Sequence, residues 1–458
     1  MRKYLLLMSV IFSTISFGQE HFSGIATSRR VGIINAGLNP AELMNLSGKF
    51  EFNIFATSVN VANNKIGFKD IVDGKDLEEA LFKGTDPANF KADIESYGPS
   101  FAVNIKKWAF AVTTKVNARL DVVDVNTQLA DAIINNNFTG LPITSAYFND
   151  YNQRIAATTW GELGLSAATN LVDTDKHRFN VGVTFKMLFP GSYANFGLDK
   201  FDGDLNIYNT PLGSKYYINN ATAGLNVAYS GGLANSFTNF NDYSQALVGG
   251  LNGFAGDIGV NYQFKDKDSS AKNAYKFNLG ASIRNLGSMT FKDENNYSTS
   301  YKLNIQPTIS RPLGQDLDDF KNVNNLGDIE DILKNNGYLN IAPIQNKFDV
   351  KLPTVLSAYA DVKIFYKFFL TGFIQQKMNS NNDNEQITSQ NMFTITPRFS
   401  TKYFEFCVPI SNSEIAGSTT GFGLRIGGFF LSSNSLISAL TSDTKQADIS
   451  TGFRWSFL

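Results

Sequence analysis

The sequence predicts an all-β fold: a transmembrane antiparallel β-barrel of about 14 strands, within a range of about 12–16. Three observations predict it. Long segments alternate apolar and polar residues, the chain begins with an export signal, and it ends in an aromatic-rich strand. Together they indicate a wall with lipid on one face and a polar lumen on the other.

The clearest alternating segment is RFNVGVTFKMLF (178–189), in which every second residue is large and apolar. Between these residues lie Arg178, Asn180, Gly182, Thr184 and Lys186. Alternation with period two is typical of a strand whose two faces meet different environments. The same pattern recurs in KFEFNIF (49–55), DIGVNYQF (257–264) and KFNLGASIRN (276–285).

The length of these segments separates a membrane wall from a soluble β-sandwich, which also has one polar face. Strands of globular proteins are usually about five or six residues long, whereas a strand tilted across a bilayer needs about 9–11. Several of these segments alternate for that longer span. The chain also combines 13% aromatic residues with a mean hydropathy of only -0.15, as expected when alternation hides an apolar face.

The start of the chain has the three parts of a secretory signal peptide. A basic region (Arg2 and Lys3) precedes an apolar stretch over residues 4–17, and the small residue Gly18 follows. The sequence therefore predicts a signal peptide over residues 1–18 and an exported mature chain. Beyond it, no run of about 20 apolar residues occurs, so a helical membrane protein is excluded.

The end of the chain is the alternating strand GFRWSFL (452–458). An aromatic-rich strand at the terminus resembles the assembly signal of Gram-negative outer-membrane barrels, although here Leu458 follows the final aromatic residue, Phe457. The resemblance implies location in the cell outer membrane. It also implies two partners, the lipid of that membrane and the outer-membrane assembly machinery.

No linker or composition shift divides the mature chain, so we expect a single barrel over residues 48–458. Candidate strands begin near residues 48, 98, 108, 154, 177, 192, 220, 254, 274, 288, 353, 366, 388, 402, 421 and 447. Three connections have helical spacing, and we expect them to cap the outer mouth because long loops of such barrels face outward. They are DGKDLEEALFKG (73–84), TQLADAIINNN (127–137) and LGDIEDILKNNG (326–337), with Gly337 placed to end the last helix.

The segment before the first strand, residues 19–47, contains a helix start at Asn39, Pro40, Ala41 and Glu42. Asn39 suits the N-cap and Pro40 the first helical position, while Glu42 is placed to complete a capping box. From these residues alone, the segment is either an ordinary exposed lead-in or a part of the lumen. Arg29 and Arg30 would find a partner in the lumen, because the inward faces of the predicted strands carry carboxylates.

The Asn-Pro-Ala element between signal peptide and first strand resembles the N-terminal hatch of the long-chain fatty-acid transporter (FadL) barrels. It also resembles relatives among secretion-linked barrels such as PorV. The segments LPTVLSAYADV (352–362), ITPRFSTKYFEFCVPIS (395–411) and GFGLRIGGFFLSSNSL (421–436) are similar to an outer-membrane barrel family of unassigned function. This resemblance implies a barrel of about 14 strands with residues 19–47 as a lumenal hatch. The hatch residues are Arg29, Arg30, Asn39, Pro40, Ala41 and Glu42.

Residues that could carry chemistry are scarce. The chain has two histidines: His21 lies beside the new N-terminus, and His177 follows Asp173 and Asp175, either of which would suit a general base paired with it. A solvated turn is the simpler interpretation of that cluster. We therefore expect no enzyme activity, no catalytic residue, no cofactor and no metal site. With 40 basic and 41 acidic residues, the chain shows no basic stripe for nucleic acid.

Two function classes remain. One is a FadL-like passive channel for hydrophobic small molecules. The other is a non-transporting barrel that acts as a scaffold for a secretion or surface-protein complex. An apolar pocket continuous with the hatch would favour transport, whereas a packed lumen beneath an aromatic loop cap would favour scaffolding.

Overall fold

The fold is described from a computed structural model. It describes residues 21–76, 80–81, 84–135, 144–211, 213–231, 247–266, 274–292, 297–320, 323, 326–341, 343–381 and 383–457. The predicted signal peptide, residues 1–18, lies outside the described residues. No helix within these ranges has the length and apolar character needed to cross a membrane.

The strands of the described residues form one antiparallel sheet. The first part of the chain supplies β1 (Phe50–Asn63), β2 (Ala88–Tyr97), β3 (Ser100–Ile105), β4 (Trp108–Val125), β5 (Thr144–Phe148), β6 (Asn152–Asp173), β7 (His177–Thr210), β8 (Gly213–Ser230), β9 (Gly253–Lys265), β10 (Tyr275–Lys292), β11 (Tyr297–Ile305) and β12 (Gln315–Asp316). The remainder supplies β13 (Leu339–Ile341), β14 (Lys347–Lys351), β15 (Val355–Phe365), β16 (Phe368–Lys377), β17 (Met392–Ser400), β18 (Phe404–Cys407), β19 (Ile410–Ser413), β20 (Gly417–Thr420), β21 (Phe422–Ile426), β22 (Phe429–Ser433) and β23 (Gln446–Phe457).

Helices are short and lie before the first strand or between strands. They are α1 (Ile33–Leu38), α2 (Phe68–Val72), α3 (Thr127–Asn135), α4 (Leu326–Asn335) and α5 (Leu436–Thr441), with 3-10 turns at Arg29–Val31, Pro40–Asn45 and Leu317–Phe320. The predicted loop helices at 127–137 and 326–337 are confirmed by α3 and α4. Gly337 ends α4 in the left-handed conformation (φ 76°), as predicted. The third predicted helix, over 73–84, lies partly outside the described residues.

The wall is a closed ring of 14 strand positions, which confirms the predicted barrel. In order around the ring they are β1, β2–β3, β4, β6, β7, β9, β10, β14–β15, β16, β17, β18–β19, β20–β21, β22 and β23. Pairing of β1 with β23 closes the ring from Phe50 opposite Phe457 to Ala62 opposite Gln446. Closure leaves the wall without an exposed sheet edge, as a lipid environment requires.

Several predicted strand starts were wrong. The starts near 177 and 192 belong to one strand, β7, because Pro190 produces a bulge against β6 rather than a turn. Those near 274 and 288 belong to β10, which is irregular opposite β9 at Leu286 but continues. Two wall strands, β2 and β22, were missed; β22 has only five residues, too few for a clear alternation.

The barrel has two unlike ends. At one end, here called the short-turn end, neighbouring strands join through tight turns such as 106–107, 366–367 and 427–428. Lys106, Tyr366 and Gly427 have positive φ in these turns, as two-residue hairpins require. Strand β1 begins and β23 finishes at this end. The opposite end carries the long connections and is here called the long-loop end.

Strand β7 shows how the two faces differ. Val183 and Phe185 are 52% and 49% exposed on the outer face, where lipid meets the wall. Asn180, Thr184 and Lys186 are buried on the inner face. The predicted orientation of this segment is therefore correct.

At the long-loop end, part of the sheet continues beyond the wall. The second half of β7 pairs with β5 and β8, β8 pairs with β11 and β12, and β11 pairs with β13. Helices α3 and α4 pack on this extension. Its buried apolar residues, among them Phe201, Leu225, Tyr301 and Leu333, give it a core separate from the lumen.

The N-terminal segment (residues 21–47) lies inside the ring. Its backbone and side chains bond to Glu51 in β1, Val260 in β9, Tyr359 in β15 and Glu405 in β18. These strands stand on different sides of the ring, so only a segment in the lumen reaches all of them. Nearly all of its residues are buried.

Candidate functional site

The N-terminal segment is built from three short helical turns joined by caps. Ser28 accepts a hydrogen bond from Arg30 N (3.2 Å) at the first turn, and α1 follows. Asn39 then caps the third turn by accepting from Ala41 N (3.0 Å), with Pro40 in the first helical position. The predicted helix start at Asn39 is therefore present, as a 3-10 turn.

The predicted capping box at Glu42 is wrong. Asn39 N already donates to Asn35 O (3.0 Å), so the N-cap amide needs no carboxylate. The Glu42 side chain instead meets the wall, where Asn261 Nδ2 (2.8 Å) and Asn278 Nδ2 (3.0 Å) donate to it. Glu42 therefore joins the segment to the wall and does not cap its own helical turn.

Glu42 forms the centre of a buried polar cluster. Besides the two wall asparagines, Tyr359 Oη and Asn45 Nδ2 donate to its carboxylate. Burial raises the pKa of this carboxyl above its usual value, and the charge of Asp361 acts in the same direction, while the hydrogen bonds oppose it. A group so enclosed is expected to hold or release a proton together with docking of the segment.

Two wall glycines form the slot that receives the Asn39–Pro40 turn. Gly182 of β7 and Gly259 of β9 are directly opposite each other. A Cβ at Gly182 would lie 2.5 Å from Ala41 N, and one at Gly259 would lie 3.0 Å from Pro40 Cδ. Any side chain at either position would therefore fill space that the segment occupies.

The two arginines of the segment lie near the short-turn end. Arg30 Nε donates to Ser400 Oγ (3.2 Å), and Arg29 lies over the Tyr275 ring, 5.4 Å from its centroid. The carboxylate of Glu405 is close by, because Ser28 donates to it at 2.7 Å.

Glu51 joins the N-terminal segment to the first and the last strand of the wall. It accepts from Ile33 N (2.7 Å) and from Arg454 Nη1 (2.6 Å). A buried carboxylate needs this kind of compensation to offset its desolvation. One side chain of β1 thus contacts the N-terminal segment and the last strand.

Pairs of oppositely charged side chains line the lumen elsewhere. Lys186 lies 2.9 Å from Asp257 and 3.6 Å from Glu162, and Lys115 lies 3.4 Å from Glu95. All are on inward faces. The lumen is therefore polar, as the alternation predicted.

Two small cavities flank the segment, and both are lined by Gly37 and Tyr97. One has a volume of about 50 Å³ and joins apolar Phe22 with Arg119 and Arg284. The other has a volume of about 20 Å³. A buried water needs roughly 10–15 Å³, so each cavity holds only a few waters.

The wall is interrupted beside Tyr97. Strands β2 and β3 form one wall position but are separated by Gly98 and Pro99. Opposite them, β1 bulges between Asn53 and Phe55, and Asn53 Nδ2 donates to Gly98 O (3.2 Å). Proline supplies no N–H to a neighbouring strand, so the break is built into the sequence.

His177 does not form a recognisable catalytic pair. Its Nδ1 lies 2.7 Å from Tyr262 Oη on the exposed short-turn end. Asp173 pairs with Arg178 and Lys265. Within the described part of the chain, no cluster of three or more His, Cys, Asp or Glu residues is placed to bind a metal.

Sequence reasoning missed the wall partners of the segment. Asn261, Asn278 and Tyr359 converge on Glu42 from three strands, and nothing local in the sequence marks them. Inward glycines were a usable signal, because Gly182 and Gly259 replace larger residues on otherwise polar faces. A glycine inside a strand often marks close approach of another backbone.

These features define the class: a transmembrane antiparallel β-barrel whose lumen contains its own N-terminal segment. Within that class, the chain belongs to the Family of unknown function (DUF5723), whose model matches residues 40–434. This match confirms the resemblance to a family without an assigned function. No curated protein matches the chain.

Solved structures with a similar fold include a TodX deltaS2S3 mutant monoaromatic hydrocarbon channel, with 10% identity over 97% of this chain and 99% of the other (TM-score 0.46). The toluene transporter TbuX of Ralstonia pickettii has 12% identity over 98% and 100% (TM-score 0.41). A FadL homologue of Pseudomonas aeruginosa has 9% identity over 96% and 98% (TM-score 0.40). At these scores the likeness carries no argument about function.

Proposed function

We propose that the protein is an outer-membrane channel for hydrophobic small molecules and that the N-terminal segment is its hatch. The observation that carries the proposal is the position of the segment. It fills the lumen, and its Gly37 lies against Tyr97 beside the break in the wall. A molecule that displaces this contact gains a route from the lumen to the lipid.

The contacts of the segment suit a part that moves. Most of its bonds to the wall are single polar contacts, such as Ser282 Oγ to Leu38 O (2.8 Å) and Asn39 Nδ2 to Val260 O (2.9 Å). Water replaces such bonds at a net cost of about 1 kcal/mol each. The segment is continuous with β1, so it stays attached when these bonds open.

The conformation described is a closed one. The two cavities at Tyr97 are far below the volume of roughly 300–1,000 Å³ that small-molecule sites occupy. Charged side chains line both cavities, so the continuous apolar pocket that would favour transport is not present among the described residues. Transport therefore requires the segment to shift.

A second candidate function is a scaffold for a surface or secretion protein. The extension at the long-loop end favours it, because it has its own buried core and presents exposed apolar residues, including Phe148 (72%) and Ile309 (104%). Exposed apolar groups of this kind mark contact surfaces when they are contiguous. Proteins that co-purify with the barrel in mild detergent would identify such a partner.

The proposed setting is the outer membrane of a Gram-negative cell. Lipid surrounds the wall, the short-turn end faces the periplasm, and the assembly machinery recognises the strand GFRWSFL. No enzymatic step is proposed. The short periplasmic turns and long outer loops of known barrels support this orientation.

A disulfide between the segment and the wall tests the channel. A Cβ at Gly24 would lie 3.0 Å from the sulfur of Cys407, the single cysteine of the chain, so Gly24→Cys is placed to form a disulfide. Gly24 has φ 70°, where a side chain costs about 1–2 kcal/mol. Gly24→Ser has the same strain without the bond and is the matched control.

The measurement is entry of the hydrophobic fluorophore N-phenyl-1-naphthylamine into cells that carry the protein. We expect cells with oxidised Gly24→Cys to take up less dye than cells with Gly24→Ser, with reductant restoring uptake.

Deletion of residues 20–45 should leave a heat-modifiable barrel with higher uptake and higher ion conductance, because the wall strands satisfy their own hydrogen bonds. Uptake equal to that of cells without the protein, in all variants, would refute the channel.

A further inference from the structure

A third cavity opens at the short-turn end and is much larger than the two beside Tyr97. Its volume is about 660 Å³, within the range of roughly 300–1,000 Å³ typical of small-molecule sites. We call it the basic notch. Five cations line it: Arg29, Arg30, Lys402, Arg425 and Arg454.

No acidic residue is among the residues that line the basic notch. The nearest carboxylates lie behind the arginines. Glu405 accepts from Arg425 Nε (2.7 Å) and also lies 3.3 Å from Arg398, while Glu51 accepts from Arg454 (2.6 Å). Asp361 is taken by Arg398 (2.5 Å). Among the described residues, these pairs place three buried carboxylates beside Arg398 and the five lining cations, and the lining cations face the opening.

Two of these arginines show that the positive charge is not fully compensated. Arg454 is only 6% exposed, and its Nε has no hydrogen-bond partner among the described residues. The pKa of Arg30 is lowered to about 10 by burial and by the charges of Arg29 and Arg425. An anion in the notch would offset the like-charge repulsion among Arg29, Arg30 and Arg425.

Arg425 contributes charge and builds the rim. It donates to Gly427 O (2.7 Å) and to Thr401 O (3.0 Å), so it ties together two of the short turns. The notch is therefore preformed by buried hydrogen bonds and is more than a gap between loops.

The notch lies where the last wall strand loses one of its two neighbours. Strand β22 pairs with β23 only from Phe429 to Ser432, and one further bond joins Arg454 N to Gly428 O (3.1 Å). Beyond it, β23 pairs with β1 alone among the described strands. Side chains from both faces of the wall consequently line one cavity.

The outward side chains of this rim are aromatic. Trp455, Phe457 and Tyr403 are 64%, 45% and 68% exposed, and all three line the notch. Aromatic residues at the end of a barrel wall lie at the level of the lipid headgroups. A ligand that contacts both these rings and the inward arginines must have an anionic head and an apolar body.

We propose that the basic notch binds the phosphate headgroup of an anionic phospholipid from the leaflet at the short-turn end, with its acyl chains along Trp455 and Phe457. An acidic peptide would match the arginines but would leave the rings without an apolar partner. The proposal does not depend on conduction, because it requires only the rim and the position of Arg29 and Arg30 in the closed conformation.

Tryptophan fluorescence offers a direct test, because one of the three tryptophans lines the notch. Trp108 is also exposed (51%) but begins β4 elsewhere on the rim, and Trp160 is buried (3%). Two reporter proteins follow: Trp108→Phe, which reports on the notch, and Trp455→Phe, which reports on an ordinary lipid-facing site. Each is reconstituted with acyl-brominated phosphatidylglycerol or phosphatidylcholine as a minor component of the bilayer.

We expect phosphatidylglycerol to quench Trp455 several-fold more effectively than phosphatidylcholine does, and we expect no such preference at Trp108. Replacing Arg30 and Lys402 by Gln should remove the preference, because each surface cation is worth a factor of about five in affinity for an anionic lipid. Lys367→Gln is the matched control: Lys367 lies over Tyr366 as Lys402 lies over Tyr403 (4.7 and 5.1 Å), in another short turn.

Inorganic phosphate separates the lipid from a free anion. If added phosphate abolishes the preference at concentrations near those of a buffer, the notch is an anion site without lipid specificity, and the proposal fails. Equal quenching of Trp455 by the two lipids would overturn it. So would a preference that survives in Arg30→Gln/Lys402→Gln. Heat-modifiability of each variant verifies that the barrel is intact.

Discussion

At the scale of single residues, the position of the N-terminal segment depends on what is absent from the wall as much as on what is present. Gly182 and Gly259 leave the space for the Asn39–Pro40 turn, and Gly37 leaves the space for Tyr97. Glu42 then supplies a buried polar contact. The glycines therefore make room for the N-terminal segment, and the Glu42 carboxylate strengthens its binding to the wall.

The glycine slot gives the first residue-scale prediction. Gly182→Ala puts a methyl group 2.5 Å from Ala41 N, and overpacking of this kind costs about 1–3 kcal/mol. We expect the barrel to fold while the segment becomes more accessible to protease and ion conductance rises. Gly372→Ala is the control, since a Cβ there would meet nothing within 4 Å. A segment equally protected in both variants would contradict the slot.

The second residue-scale prediction concerns pH. Burial raises the pKa of Glu42, so docking favours the protonated form of its carboxyl. Docking should then tighten as pH falls through this raised pKa and weaken above it. Protection factors of the segment's amides, which correct the exchange rates for their intrinsic dependence on pH, should be higher at acidic than at alkaline pH, and Glu42→Gln should reduce the difference.

His21 is a second titratable group of the same segment. It lies 3.3 Å from Asp93 and 3.0 Å from Ser58, and protonation would strengthen its pair with Asp93. His21→Gln measures that share separately. Exchange that depends on pH to the same extent in Glu42→Gln and in the unaltered protein would exclude Glu42 as the cause.

At the scale of elements, strands that stop early shape the barrel. The break at Gly98–Pro99 separates β2 from β3, and the short β22 leaves the basic notch at one end of the wall. At its other end β22 gives way to α5, which packs between β20 and β23. A helix thus occupies part of a strand position.

The junction between β22 and α5 gives the element-scale prediction. Asn434 is fully buried; it accepts from Ser23 (2.9 Å) and Ser411 (2.6 Å) and donates to Thr419 (3.2 Å). Asn434→Ala leaves these buried hydroxyls without their hydrogen-bond partner and should lower the free energy of unfolding by about 1–3 kcal/mol. The temperature of heat modification should fall. Asn412→Ala, which removes an exposed bond to Ser418, should change it little.

At the scale of the whole molecule, the wall strands follow from the sequence because alternation is imposed by lipid on one face and a polar lumen on the other. That is why the two faces of β7 and the start of β9 were predicted correctly. What alternation cannot show is which strands continue through an irregularity, as β7 does at Pro190. Alternation also does not predict that Arg30, Lys402 and Arg454 line one cavity, because these residues are distant in the chain and meet only when the ring closes.

The whole-molecule prediction concerns depth in the membrane. Val183 is 52% exposed well inside the outer face of β7, whereas Leu171 (60%) lies next to a short turn. Val183→Arg should cost about 2–4 kcal/mol and Leu171→Arg about 0–1 kcal/mol. Unfolding in urea from lipid vesicles measures both. Equal costs would mean that the membrane does not lie where the wall places it.

The shared carboxylate of Glu51 has a consequence for how the molecule is made. Its partner Arg454 is 403 positions away, and its other partner, Ile33 N, belongs to the N-terminal segment. A nascent chain synthesised from its N-terminus cannot complete this three-way junction until the final strand arrives. Contacts so distant in sequence form late in folding. Pairing of β1 with β23 and docking of the N-terminal segment are therefore coupled. A barrel that has not yet closed also lacks its docked segment.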